Sequence, residues 1–162
     1  MAKTTSLLQG IAVALLGSLA ASPQQATAAV IADHSGTICK NYNASDVSYI
    51  DYYSNGTVSK KSTSTLVVCP LARNTSGVNG AYVYVDLSHS GTLATTCTAY
   101  SYSYTGVLKA SGSKTFTGSG FGELSISLVG AGKSDAWSNY SVICTIPGGS
   151  AARVLGVALL EQ

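Results

Sequence analysis

The segment 97–104 alternates strictly between two kinds of residue, and this pattern limits the fold more than any other feature of the chain. Successive side chains of a β-strand point to opposite faces. The small residues at odd positions, beginning with Cys97, therefore share one face, and the tyrosines share the other. The segment 140–146 alternates in the same way around Cys144. We predict two strands, each with its cysteine turned toward the core.

The four cysteines predict disulfides. They are Cys39, Cys69, Cys97 and Cys144. An even number of cysteines behind an export signal is typical of proteins oxidised outside the cytosol. Of the three connectivities, we favour Cys39–Cys69 with Cys97–Cys144, because each pair then lies within its own half of the chain. No metal site is predicted, since no cysteines have C-x-x-C spacing and both histidines are far from any cysteine in the sequence.

The first 28 residues have the features of a secretory signal peptide. Lys3 is their only charge, an apolar run covers 7–21, and Ala26-Thr27-Ala28 fits a cleavage site. The run is interrupted by polar and small residues and is shorter than the ~20 residues of a membrane span. We therefore expect cleavage after Ala28, one domain over 29–162 with no membrane span, and a secreted or periplasmic location.

Charge and composition argue against nucleic acid as a partner. Loss of Lys3 would lower the formal net charge from +2 to +1, and only 10% of the residues are charged. Nucleic-acid binding needs a basic stripe on one face. A composition rich in Ser, Thr, Gly and Tyr is instead common in exported all-β domains.

Short alternating runs between turn residues predict an all-β fold. The predicted strands are 36–40, 47–53, 57–60, 65–69, 81–87, 97–104, 107–110, 124–128, 140–146 and 154–160. No stretch after Ala28 has helical periodicity. Strands of this number and length favour an antiparallel two-sheet β-sandwich, with a small barrel as the alternative.

Turn residues predict how several strands end. Asn55-Gly56 predicts a type I′ hairpin turn, because both central residues of that turn have positive φ. Pro70 is expected to end its strand, since proline cannot donate to the ladder. The Gly- and Ser-rich segment 111–122 is expected to be a connection anchored by Phe116 and Phe121.

No catalytic motif or cofactor-binding motif is present. The sequence lacks a G-x-S-x-G elbow and an H-E-x-x-H motif. Asp33 with His34, and Asp86 with His89, are the acid–base candidates, although an isolated pair of this kind is usually a plain surface feature. Carboxylates for glycoside hydrolysis would come from Asp33, Asp46, Asp51, Asp86, Glu123, Asp135 and Glu161. Nothing in the sequence places any two of them together.

Tyrosines opposite the inferred core face form the candidate ligand face. They are Tyr82, Tyr84, Tyr100, Tyr102 and Tyr104. Exposed aromatic rings can stack on sugars or anchor a protein partner, whereas tyrosine pairs can also simply stabilise a sheet. Arg73 is a further candidate ligand contact, because its guanidinium can bind a carboxylate or phosphate, but it can equally fix a loop.

Several short motifs resemble those of a loose group of small exported bacterial proteins of uncharacterised function. They are the CPLxR segment 69–73, the preceding segment 50–56, the segment 97–100 and the segment 144–147. The resemblance covers most of 29–162. It implies export, two disulfides and an all-β domain, and it implies no activity, cofactor or catalytic residue.

Three functions fit these observations. The first is an exported, non-catalytic binding or adhesion domain whose ligand is a glycan, a cell-surface polymer or a protein. The second is a structural or self-assembling extracellular subunit, and the third an exported enzyme. The segment 154–160 is apolar on both faces, which predicts either a covered central strand or strand addition by a second subunit.

Overall fold

The computed structural model describes residues 31–73, 79–130 and 138–162. Within these ranges the chain forms nine strands and two short 3-10 helices. The strands are β1 (Ile31–Ser35), β2 (Lys40–Asn41), β3 (Ile50–Tyr53), β4 (Gly56–Ser59), β5 (Thr65–Leu71), β6 (Ala81–Tyr102), β7 (Leu108–Ser127), β8 (Asn139–Ile146) and β9 (Ala152–Glu161), and the helices are Gly36–Ile38 and Ala44–Tyr49. The signal peptide predicted at 1–28 lies outside the described residues. In the described ranges, no helix has the length and apolar character needed to cross a membrane.

The long hairpin of β6 and β7 joins two layers of antiparallel strands. The first half of β6 pairs with β9, whereas its second half pairs with β8. Layer one therefore contains β1, β3, β4, β9, the first half of β6 and the second half of β7. Layer two contains β2, β5, β8 and the remaining halves of β6 and β7. The predicted antiparallel two-sheet sandwich is confirmed, with a nearly closed sheet.

The core lies between the layers and is built by alternation. On β6 the odd-numbered residues Ala81, Val83, Val85 and Leu87 are buried, and so are Cys97 and Ala99 in its second half. Both disulfides join the predicted pairs, Cys39 with Cys69 and Cys97 with Cys144. Cys97 and Cys144 lie directly opposite each other on β6 and β8. All four cysteines are fully buried, so the disulfides form part of this core.

Two predicted strands are partly 3-10 helix. The segment predicted as a strand at 36–40 contains the helix Gly36–Ile38, where the Ser35 hydroxyl accepts from the Thr37 backbone N at 3.4 Å. A Cβ on Gly36 would lie 2.1 Å from the Val154 carbonyl oxygen, so only glycine fits this close approach. The strand predicted at 47–53 begins only at Ile50, because Ala44–Tyr49 is helical.

Two turn predictions are wrong by small margins. Tyr53 pairs with Gly56, so the hairpin loop is Ser54-Asn55 and not Asn55-Gly56. Gly56 follows the loop with a φ of 133°. Pro70 does not end β5 but pairs with Ser141 inside it. The two residues of β2 pair only with Val67 and Val68, so within the described chain no ladder partner requires an N–H from Pro70.

The segment 111–122, predicted as a connection, is part of the 20-residue strand β7. The ring of Phe116 fills the space that glycine leaves, since a Cβ on Gly122 would lie 2.3 Å from its Cε2 atom. Phe116 also contacts the ring of His89 at a centroid distance of 4.8 Å. Phe121 points outward and is 82% exposed, so the prediction of Phe121 as an anchor is wrong.

The last strand, β9, lies inside layer one. It pairs with β6 along one edge and with β1 and β4 along the other. The prediction of strand addition through 154–160 is therefore wrong. The central position of the strand is confirmed, but its outer face is only half-buried and not fully covered. A register shift between Asp86 and Leu87 of β6 lies opposite Leu155 and Gly156 of β9. This bulge shifts the alternation of side chains along β9. As a result, Val154 and Val157 both face the core, while Leu155 does not share their face.

Candidate ligand-binding site

The tyrosines predicted as one ligand face lie in three places. Tyr82 and Tyr84 lie on layer one with their ring centroids 6.5 Å apart. Tyr100 and Tyr102 are stacked on layer two at 5.9 Å. Tyr104 lies in the turn between β6 and β7 and is 68% exposed. Because β6 passes from one layer to the other, its regular alternation places the two pairs on different outer faces of the sandwich.

Arg73 lies among strand ends and not among the tyrosines. Its Nη1 donates to the Ser138 hydroxyl at 2.8 Å, and its Nε lies 3.6 Å from Oε1 of Glu161. The side chains of Arg73 and Glu161 are 11% and 2% exposed. Arg73 therefore connects the chain after β5 to the end of β9 and to the start of β8. This is the loop-fixing role that the sequence allowed.

The outer face of layer one carries a groove of about 530 Å³ beside Tyr84. The pairing register brings three carboxylates to it. Asp86 on β6 pairs with Glu123 on β7, and Asp33 on β1 lies in the next row, which also contains Tyr84. The residues that line the groove are Asp33, His34, Ser35, Asp86, Leu87, Phe121, Gly122, Glu123, Leu155 and Gly156.

The bulge in β9 keeps the floor of the groove open. Gly156 pairs with Ser35 on one side and with Asp86 on the other. A Cβ at Gly156 would lie 3.1 Å from Oδ2 of Asp86 and 3.6 Å from the backbone oxygen of His34. A larger side chain would therefore occupy the space next to the Asp86 carboxylate.

The groove has an electronegative character. Partial burial raises the pKa of Asp86, and the negative charge of Asp33 raises it further. No lysine or arginine is among the lining residues. Where the chain is described, no group of three or more His, Cys, Asp or Glu side chains is placed to hold a metal ion. Asp33, Asp86 and Glu123 are all exposed, so their carboxylates can accept hydrogen bonds from a ligand.

Phe121 forms an apolar wall of this groove. It pairs with Ser88 on the outer face, between Gly120 and Gly122, which have no side chains to cover it. No other large hydrophobic side chain in the described ranges exceeds its 82% exposure. Its ring therefore offers an apolar face on which a ligand can stack.

The two histidines have different roles. His89 is buried, with its Nδ1 2.9 Å from the Gly118 oxygen and its Nε2 2.8 Å from the Thr95 hydroxyl. It points into the core and Asp86 points outward, so they do not form the acid–base pair considered from sequence. His34 lies between the groove and an apolar cavity of about 330 Å³. Its Nε2 is buried and has no hydrogen-bond partner among the described residues.

Sequence reasoning named Asp33, Asp86 and Glu123 as candidate carboxylates but could not place them in one groove. Glu123 and Phe121 belong to a segment whose low β-propensity concealed a strand. Asp33 is brought in by pairing between chain ends that are far apart in sequence. One available clue was Phe121 itself, a large aromatic residue between glycines, which has little to pack against within its own segment.

Comparisons with known proteins identify the fold and not a family. No protein-family model matches the chain, and no similar sequence was found among curated proteins. The CBM36-1 domain of a multidomain xylanase from the hindgut metagenome of Trinervitermes trinervoides has a TM-score of 0.50 and 10% identity, and the match covers 80% of this chain and 96% of that domain. The chain thus shares the β-sandwich architecture of a carbohydrate-binding module.

Two further solved structures resemble the chain more weakly. The Podospora anserina GH26-CBM35 β-(1,4)-mannanase has a TM-score of 0.42 and 11% identity, with 82% of this chain and 28% of that one covered. The enzymatically active domain of bacteriophage CBA120 tailspike protein 4 has a TM-score of 0.39 and 13% identity, with coverage of 81% and 18%. Both are much longer than the region they share with this chain.

Proposed function

We propose that the chain is a non-catalytic carbohydrate-binding domain whose site is the groove on layer one. The proposal rests on one observation: a single open groove contains both the exposed aromatic ring of Phe121 and three carboxylates. The volume of about 530 Å³ lies within the roughly 300–1,000 Å³ of typical small-molecule sites. A groove that is open to solvent also suits a polymer, which must continue beyond the bound residues.

Each part of the groove matches one part of a sugar. The C–H face of a pyranose ring is apolar and packs on an aromatic ring such as Phe121. Sugar hydroxyls are donors, and ionised carboxylates accept hydrogen bonds that are about twice as strong as neutral ones. Asp33, Asp86 and Glu123 supply these acceptors, while Tyr84 and Tyr82 extend the aromatic surface beyond the groove. The shared fold with a CBM36-1 domain supports the same class of function.

An exported location supports this function. Two buried disulfides require an oxidising compartment to form, and a polysaccharide ligand would be met outside the cytosol. The predicted signal peptide would direct the chain there. These observations support a periplasmic or extracellular location for the protein.

Affinity gel electrophoresis tests the proposal. The purified protein should be retarded in gels that contain soluble xylan, glucomannan or mixed-linkage β-glucan. Phe121→Ala should weaken the retained interaction by about tenfold, because the stacking surface is lost. Tyr104→Ala is the matched control, since it removes an exposed ring outside the groove. The proposal fails if no polysaccharide retards the protein, or if both substitutions have the same effect.

A second candidate is glycoside hydrolysis, which the raised pKa of Asp86 favours. Such enzymes pair a protonated carboxyl group, whose pKa is raised, with an ionised carboxylate. Burial and the charge of Asp33 shift the pKa of Asp86 in the direction that a general acid needs. Release of reducing ends from the same polysaccharides, abolished in Asp86→Asn, would replace the binding proposal with this one.

A further inference from the structure

We infer that the groove selects uncharged polysaccharides and rejects those that carry carboxylate or sulfate groups. This inference rests on the proposed function and specifies the ligand class of the same site. It follows from the signs of the charges around the groove and from the hydrogen bonds that the groove can donate and accept.

The groove offers many acceptors and no cation. Asp86 and Glu123 are cross-strand partners, and Asp33 lies one row away. Carboxylates in the ionised form only accept hydrogen bonds, so the bound groups must be donors. Sugar hydroxyls meet this condition, whereas a uronic acid or a sulfate ester presents further acceptors. Like charges brought together in a binding interface weaken binding.

The nearby cations are engaged elsewhere. Arg153 lies on the outer face of layer one, but its Nη1 donates to the Asn55 side chain at 2.6 Å and its guanidinium lies 5.1 Å from the centre of the Tyr53 ring. Lys60 pairs with Asp51 at 2.8 Å, and Lys61 pairs with Asp46 at 2.7 Å. None of these three residues lines the groove, and moving any of them toward an anion would break an existing contact.

The raised pKa of Asp86 is further support for a preference for neutral ligands. The carboxyl group already carries a raised pKa, because burial and the charge of Asp33 both oppose its ionisation. A further negative group from a ligand would add to this cost. A hydroxyl that donates to Asp86 would instead stabilise the ionised form. The electrostatics of the groove therefore favour a neutral ligand over an anionic one with the same sugar backbone.

Matched pairs of polysaccharides test this selectivity. Konjac glucomannan and barley β-glucan would be compared with the same polymers after oxidation of their C6 hydroxyls to carboxylates. At low ionic strength the oxidised forms should bind at least about tenfold more weakly, and the difference should shrink as salt screens the charges. Hydroxyethyl cellulose and carboxymethyl cellulose provide a second pair with one backbone.

The double variant Asp86→Asn/Glu123→Gln tests whether the carboxylates of the groove cause the weaker binding of the oxidised polymers. It removes two negative charges while it keeps the size of both side chains, so discrimination against the oxidised polymers should fall. Gly156→Ala narrows the floor and should weaken binding of the neutral polymer, whereas Gly91→Ala, with no atom within 4 Å of the added Cβ, should not.

The outcomes separate the inference from the proposed function. If oxidised polymers bind as well as or better than neutral ones, carbohydrate binding stands and the inference is wrong. The inference is also wrong if the double variant keeps full discrimination. If neither form of any polymer binds, the proposed function itself fails.

Discussion

The two layers of the sandwich differ in what holds them together and in what they present to solvent. Layer two contains the Cys97–Cys144 disulfide between neighbouring strands, and Cys39–Cys69 fastens its edge. Its outer face carries the stacked Tyr100 and Tyr102. Layer one has no disulfide, yet it contains the groove and its three carboxylates. Covalent reinforcement and the candidate site are therefore separated in the molecule.

Strand pairing explains this separation. In layer one, β9 is paired on both edges over most of its ten residues, and the layer is held without a disulfide. Layer two ends in β2, which has only two residues and two pairs. Such a short edge strand contributes little by itself, and Cys39, directly before β2, fixes it to β5. The bulge beside the groove lies in β9, which is paired with β1 and β4 on one edge and with β6 on the other.

Removal of the Cys97–Cys144 disulfide should have the largest effect. The sequence separation of 47 residues corresponds to about 4 kcal/mol of stability on the chain-entropy account. Urea unfolding of Cys97→Ala/Cys144→Ala would measure this loss. Because the disulfide belongs to layer two, the fraction that remains folded should bind polysaccharide as the unmodified protein does. Loss of binding in a protein that circular dichroism shows to be folded would mean that the layers are not independent.

Removal of each tyrosine pair tests which outer face binds the ligand. Tyr82→Ala/Tyr84→Ala should weaken polysaccharide binding by about tenfold, because Tyr84 shares a row with Asp33 beside the groove. Tyr100→Ala/Tyr102→Ala is the matched change on layer two and should leave affinity unchanged. Isothermal titration calorimetry would compare the two variants. The reverse result would move the site to layer two.

The sequence predicted the strands correctly where side chains alternate regularly and one face of the strand is apolar. Val83, Val85 and Leu87 predicted the start of β6, and Cys97 and Ala99 predicted its second half. The residues between these runs are mostly polar or small, so one 22-residue strand was interpreted as two. The two ends of β7 were predicted as separate strands, but its middle part, 111–122, was predicted as a connection because its glycines have low β-propensity, which the long pairing with β6 overrides.

The groove could not be predicted because its parts come together only through register. Tyr84 and Asp86 are neighbours on β6, and this local relation was visible. That Glu123 faces Asp86, and that Asp33 lies one row away, depends on pairings between distant segments. The bulge opposite Gly156 changes which residues of β9 face outward. Reasoning from sequence alternation assumes that side chains alternate between the two faces without interruption along a strand. It therefore cannot anticipate a bulge that shifts this alternation.

Neutralisation of Asp86 should have the smallest effect and a distinct pH dependence. Its folded-state pKa is raised, mainly by burial and then by Asp33, so the folded protein holds this proton to a higher pH than the unfolded chain does. Stability therefore decreases as pH rises from the ordinary pKa of an aspartate through the raised value, and it stays reduced above that range. Asp86→Asn should remove this penalty, so it should stabilise the protein near pH 7 and change little near pH 3. The gain should be below about 1 kcal/mol, because solvent screens a carboxylate at the surface.

Asp33→Asn should act in the same direction but less, since the charge of Asp33 is the second cause of the shift. Thermal unfolding of the three proteins at both pH values would measure these differences, and an Asp86→Asn variant that is less stable near pH 7 would contradict the electrostatic account of the groove.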